Sequence, residues 1–205
     1  MAEADHNAIL KRIARGRLLP LGIVQQGRSR TFLLEKGWYT IVIEFQPSSF
    51  SKGTYLNVGA DFHFFPRDHF AFAHGYREKG FEEFENEEQF AHVVHAACDR
   101  AIERVRAIEQ ELGTYRAAIR AVRRDAGHDP WRRYELGFLR ALNGDALRAK
   151  WLLRKVTREK PEHDFEFARQ RLAQEIIDRL HAPTLAGFLA ETISTARRAK
   201  GLRDT

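Results

Sequence analysis

Two groups of side chains in this chain are of types that do chemistry. The first is Asp61, His63, His69 and His74, one carboxylate and three imidazoles in a single short stretch. Imidazole nitrogen and carboxylate oxygen are the donors that zinc and non-haem iron take. Alternation along a strand through residues 60–65 puts Asp61 and His63 on one face, and the loop 66–68 brings His69 toward them. Their spacings match no metal signature such as His-Glu-x-x-His. The expectation is therefore a polar sheet face open to water, with no metal and no cofactor.

The second group is cationic. The net charge is +6, and residues 114–160 alone hold 13 basic and 5 acidic side chains. A localised excess of this kind suits a polyanion or an acidic protein. Arg116, Arg120, Arg123 and Arg124 fall on one broad side of a helix opposite Ala118, Ile119 and Val122. Arg132 and Arg133 follow on the next helix. In a protein-binding role these arginines pair with carboxylates of another chain, or with Glu135 and Glu159 within this one.

Nucleophilic chemistry has little to work with. Ser48, Ser49 and Ser51 sit in a loop with no His or acid at a triad-like spacing. The single Cys98 excludes an internal disulfide and fits a reducing, cytoplasmic setting. It lies within a helical pattern without a cationic cluster to activate it. The N-terminal residues lack the uninterrupted apolar run of a signal peptide, and no stretch elsewhere reaches the length of a membrane span.

The elements that position these groups follow from periodicity. An opening helix spans 5–19, with Ile9, Ile13 and either Leu10 or Leu18 on one side. Short strands then follow near 23–25, 31–34, 40–46 and 54–63, joined by tight turns at Gly27 and Lys36-Gly37. Parallel pairing needs a crossover of a dozen or more residues, so these strands pair antiparallel. A further strand pair is expected near 70–76 and 81–84. Asn86 opens a long helix whose Phe90, Val94, Ala97, Ala101, Val105, Ile108 and Leu112 form one apolar stripe to cover the sheet. Beyond Gly113 the pattern is helical, punctuated by Asp129-Pro130, Asn143-Gly144-Asp145 and Lys160-Pro161-Glu162. The fold class is thus α+β: a small antiparallel sheet packed against helices over residues 1–112, and an all-helical region over 113–205. The rings of Phe62, Phe64, Phe65, Phe70 and Phe72 are expected in the core rather than as a base-stacking platform.

The strand end Phe45-Gln46-Pro47-Ser48, followed by Asn57-Val58-Gly59, resembles a family of uncharacterised bacterial proteins known only as a domain of unknown function. The resemblance covers about residues 8–110 and implies a fold, with no activity or site residues. The amides of Gln46 and Asn57 read as groups that satisfy a strand end or turn, and Gly59 as a bulge or close backbone approach. Leu136, Gly137, Gly144, Ala149, Leu153, Val156 and Pro161 are spaced so that 129–161 resembles one tetratricopeptide-like helix hairpin. Glu35, Glu44 and Asp61 on adjacent strands resemble the carboxylates of metal-dependent nucleases, with Gln46 where that pattern has Lys.

These readings converge on a non-enzymatic protein–protein interaction module. Its helical hairpin presents Arg116, Arg120, Arg123, Arg124, Arg132 and Arg133 to an acidic protein. The alternatives are a nucleic-acid-associated protein using the basic helices of 114–160, and a metal-dependent enzyme at the sheet face.

Overall fold

The computed structural model describes residues 5–124 and 130–202. The helix cap expected at Asp129 lies outside them. The chain divides into two compact units, Met1–Asp61 with Ala71–Glu109, and Phe62–Phe70 with Gln110–Thr205.

The first unit is α+β. Helix α1 (His6–Leu18) is capped by Asp5, whose side chain accepts from the Asn7 amide, and it buries Ile9, Leu10, Ile13 and Leu18. A single turn of tighter helix, Leu19–Leu21, ends at Gly22 in the left-handed conformation. Strands β1 (Val24–Gln25), β2 (Thr31–Glu35), β3 (Tyr39–Gln46), β4 (Gly53–Phe62) and β5 (His74–Arg77) lie in that order across one sheet. The pairs β1–β2, β2–β3 and β4–β5 are antiparallel, as the short connections require. Strand β6 (Glu82–Glu83) also pairs with β4, antiparallel through Gly53 and Thr54. The two late strands thus form, but each adds to β4 rather than to the other.

Alternation sorts the sheet into two faces. Ile41, Ile43 and Phe45 of β3 and Leu56, Val58 and Ala60 of β4 are all buried. Helix α2 (Glu87–Leu112) supplies the matching stripe of Phe90, Val94, Ala97, Ala101, Val105 and Ile108, equally buried. Ion pairs fasten it near its end and at its middle: Lys36 of the β2–β3 turn to Glu109 at 2.6 Å, and Arg100 to Glu82 of β6 at 2.5 Å. The helix start is capped as its residues imply, with Asn86 Oδ1 accepting from the Gln89 amide at 2.9 Å. Cys98 is buried under the same stripe, and burial pushes its thiol up to about 12.

Gly59 proves to be a close approach. It opposes Gly75 across β4–β5, and a Cβ on Gly75 would stand 2.4 Å from the Gly59 Cα and 2.5 Å from the Val58 carbonyl oxygen. Gly75 also has φ +131°, where side chains are strained.

The second unit is helical. It contains α3 (Tyr115–Arg124), α4 (Pro130–Leu142), α5 (Ala146–Val156), α6 (Asp164–Arg179) and α7 (Leu185–Ala199). Consecutive members from α3 to α7 pack on one another. The three-residue link Asn143-Gly144-Asp145 makes α4 and α5 a hairpin, with Gly144 left-handed at φ +74°. Gly137 is where the pair closes, since a Cβ there would lie 2.6 Å from Leu153 Cδ2. Phe62, Phe64 and Phe65 are core residues, as expected, with Phe64 stacked on Phe138 at 4.4 Å, whereas Phe70 is only half-buried and Phe72 is exposed, against the expectation. Tyr134, fully buried, donates its hydroxyl to the Phe64 carbonyl at 2.7 Å. Among the described residues no helix is long and apolar enough to cross a membrane.

Two glycines test the backbone argument in opposite directions. Gly75→Ala is expected to lower stability by at least about 2 kcal/mol, because steric overlap and positive φ add. Gly16→Ala, at a mid-helix site with nothing within 4 Å of its Cβ, should raise stability by about 0.5–1 kcal/mol. Urea unfolding of the two variants checks this, and equal midpoints would contradict it.

Candidate functional site

The basic helices carry a surface whose charge is sorted residue by residue. On α3, Ala118, Ile119, Ala121 and Val122 are buried, while Arg116, Arg120, Arg123 and Arg124 are exposed. Arg124 reaches Glu111 at 3.5 Å with its side chain still 69% exposed. Arg116, Arg120 and Arg123 have no ion pair among the described residues.

Arg132 and Arg133 behave differently, and both find carboxylates of their own chain. Arg132 pairs with Glu135 at 3.4 Å, and Arg133 donates to Glu159 at 2.8 Å. The other oxygen of Glu159 accepts from Arg169 at 2.9 Å. The Arg169 side chain is only 3% exposed, and its guanidinium lies 4.8 Å from the Trp131 ring centre. The Arg132–Glu135 pair lies within α4, and Glu159 ties Arg133 of α4 to Arg169 of α6, so both Arg132 and Arg133 already hold carboxylates of their own chain. Asp145 acts in the same way at the start of α5. One oxygen accepts from the Arg148 amide, and the other takes Arg140 at 2.8 Å and Arg148 at 3.1 Å.

Cations, paired and unpaired, line three adjoining clefts. Arg120, Arg123 and Arg124 surround the first. Arg123 also borders the second, with Arg140, Arg148, Leu136, Leu152 and Trp151. Trp151 continues into the third, with Leu147 and the basic Lys150, Arg154, Lys155 and Arg158. The shared residues make the track continuous from α3 to α5. Leu147 and Trp151 stand out within it, 80% and 60% exposed. Sequence reading passed over this pair, although the signal exists. They are four apart on a helix whose buried side is Ala149, Leu153 and Val156, and so fall outside that stripe.

The donor group expected on the sheet face does not assemble. Strand β4 ends at Phe62, and His63 stands in the following turn rather than on the strand. His69 is exposed and pairs with its neighbour Asp68 at 3.0 Å. Asp61, His63 and His74 are buried, so the water-facing polar face expected for them is corrected. Asp61 Oδ1 accepts from the Ala71 amide at 3.1 Å, which anchors the chain after its excursion through 62–70. Among the described residues no three His, Cys, Asp or Glu side chains come together as metal donors.

His63 lies instead within the helical unit. The Lys200 ammonium has only donors, so its 3.2 Å contact with Nδ1 makes that nitrogen the acceptor and leaves the proton on Nε2. Burial first, and then the nearby Lys200, Arg197 and Arg67, push the imidazole down to about 3.

The two residues that carry the strand resemblance meet on the sheet face opposite the apolar one. Asn57 Nδ2 donates to Glu44 at 2.7 Å and to Gln46 Oε1 at 2.9 Å. Arg77 of β5 donates to Asn57 Oδ1 at 3.2 Å and also to Gln46, while its guanidinium lies 4.8 Å from the Tyr55 ring centre. The amides therefore bond one another across three strands, not the loose backbone ends expected of them. Glu44 pairs across the sheet as its position implies. Comparison with protein-family models, curated proteins and solved structures returns no match to this chain.

Two measurements follow. Glu159→Ala is expected to cost about 3 kcal/mol, since it strands the buried Arg169 charge, and urea unfolding reads it. For His63 the folded-state value lies below the free value of 6.5, so the unfolded chain binds the extra proton between pH 6.5 and about 3. Stability must then fall as pH drops through that window. His63→Asn, which keeps an acceptor for Lys200, should flatten the fall, and unfolding of both proteins against pH should show the wild type losing more stability than the variant as pH drops below 6.5.

Proposed function

We propose that the protein is a non-catalytic interaction module whose helical unit binds an acidic protein partner. The observation that carries this reading is the division of arginines into two classes. Arg132, Arg133, Arg140 and Arg169 are taken up by Glu135, Asp145 and Glu159, while Arg116, Arg120 and Arg123 face solvent. Exposed cations without internal partners repel one another, and an acidic surface relieves that repulsion. The single buried Cys98 supports a reducing, cytoplasmic setting. We also take the Glu44–Gln46–Asn57–Arg77 network as the reason the Phe-Gln-x-Ser and Asn-Val-Gly signals of the uncharacterised family occur together: it fixes strand register.

A nucleic-acid role uses the same cations but asks for aromatic faces open to bases. The exposed ring in the three basic clefts is Trp151, and Lys155 Nζ already lies 3.6 Å from its centre; the exposed Phe165 and Phe167 of α6 do not line those clefts. Acidic protein is therefore the preferred partner.

The test is fluorescence anisotropy at about 0.15 M salt, with the full chain titrated against a labelled Glu/Asp-rich peptide and against single- and double-stranded DNA of similar length. Peptide binding without DNA binding is expected, and Arg120→Glu with Arg123→Glu should remove it. DNA binding that falls steeply with salt and is lost in the same variant would establish the nucleic-acid reading instead.

A further inference from the structure

The third cleft narrows the partner's chemistry. Leu147 and Trp151 sit four residues apart on α5, one turn above the other on the same side. They project away from the buried Ala149, Leu153 and Val156 and remain largely exposed. An exposed Leu alone means nothing. A Leu–Trp ridge walled by cations on both sides is a different matter. Arg123, Arg140 and Arg148 share one cleft with Trp151, and Lys150, Arg154, Lys155 and Arg158 share another with Trp151 and Leu147; on α5 itself Lys150 and Lys155 flank Trp151 on opposite sides.

Resting on the acidic-partner reading, we infer that this ridge docks an acidic amphipathic helix, its apolar stripe on Leu147 and Trp151 and its carboxylates turned to the flanking cations. The complementarity is in the order of the surface: apolar in the middle, positive on either side. A helix with apolar residues at i and i+4, bordered by Asp and Glu, presents the same order with the charge inverted. Trp151, 60% exposed, supplies together with Leu147 the large apolar area that binding hot spots favour. Lys155, held over that ring at 3.6 Å, is placed to meet a carboxylate at the rim without losing its contact.

Two other occupants fit less well. A second copy of the chain would bring the same ridge against itself, with Lys150, Arg154 and Arg158 facing their own counterparts across a two-fold axis. Nucleic acid offers phosphate to the cations but nothing apolar to Leu147, whose exposure would then serve no contact.

The experiment uses two labelled peptides of about 18 residues, or five helical turns, with identical composition. One carries Leu and Phe at i, i+4 spacing among Glu and Asp, and the other is a scramble with the apolar residues dispersed. Both are titrated into the full chain and into the variants Leu147→Ser and Trp151→Ala, which alter exposed positions and are checked for retained helicity by circular dichroism. The patterned peptide is expected to bind about tenfold tighter than the scramble, and either variant should bring it down to the scramble's level with the salt dependence unchanged. Equal binding of the two peptides, unaffected by the variants, would overturn the inference and leave the electrostatic reading standing. Failure of both peptides with retention of DNA would overturn both. Self-association in sedimentation that Trp151→Ala disperses would replace the acidic helix with a second copy.

Discussion

Three carboxylates, Glu135, Asp145 and Glu159, decide how the charge of the helical unit is distributed. Each turns toward arginines of its own unit, and Glu159 serves Arg133 and the almost fully buried Arg169 at once. A guanidinium held in that position is tolerated only with a carboxylate and further contacts, and Trp131 provides one. Satisfying the inner cations in this way occupies Glu135, Asp145 and Glu159. Among the described residues, Arg116, Arg120 and Arg123 of α3 are left exposed without an ion pair, and the outer side of α5 carries Lys150, Arg154, Lys155 and Arg158; the proposed partner surface rests on that surplus.

The α+β unit is held by a different constraint. A polar cluster placed between strands is stable when each donor and acceptor finds a partner. Asn57 spends its amide nitrogen on Glu44 and Gln46 and its oxygen on Arg77, so that β3, β4 and β5 are locked in one register. On the same strand pair, Gly59 and Gly75 come closer than any other residues would permit. Register errors move every side chain to the wrong face, and these two devices guard against that at neighbouring positions.

Much of this was legible in the sequence. The strands of the meander, the long helix behind Asn86 and the helices from Tyr115 onward follow from period and caps, which are local properties. Helix spacing and unlike charge also make Glu135 a partner for Arg132, three residues before it, whereas Glu159 reaches Arg133 across 26 residues and the sequence left its partner open between this chain and another. Partner choice across the fold was less accessible. Nothing local says that β5 and β6 both join β4, that His63 leaves the strand to accept from a lysine 137 residues away, or that Arg77 completes the Gln46–Asn57 network. The same applies to Asp61 and His74, whose polar character suggests water and whose tertiary surroundings exclude it. Leu147 and Trp151 were readable and unread: their spacing sets them off the buried stripe of α5, but only burial shows the pair to be uncovered.

The central claim, that the surplus cations of α3 and α5 form one surface for an acidic partner, meets its most direct test in hydrogen–deuterium exchange of the full chain with and without a saturating acidic amphipathic peptide. Slowed exchange confined to peptides covering 115–124 and 146–158, absent when Arg120 and Arg123 are changed to Glu, is the result predicted. Protection centred on the strands of 39–61, or none in the presence of bound peptide, would contradict it.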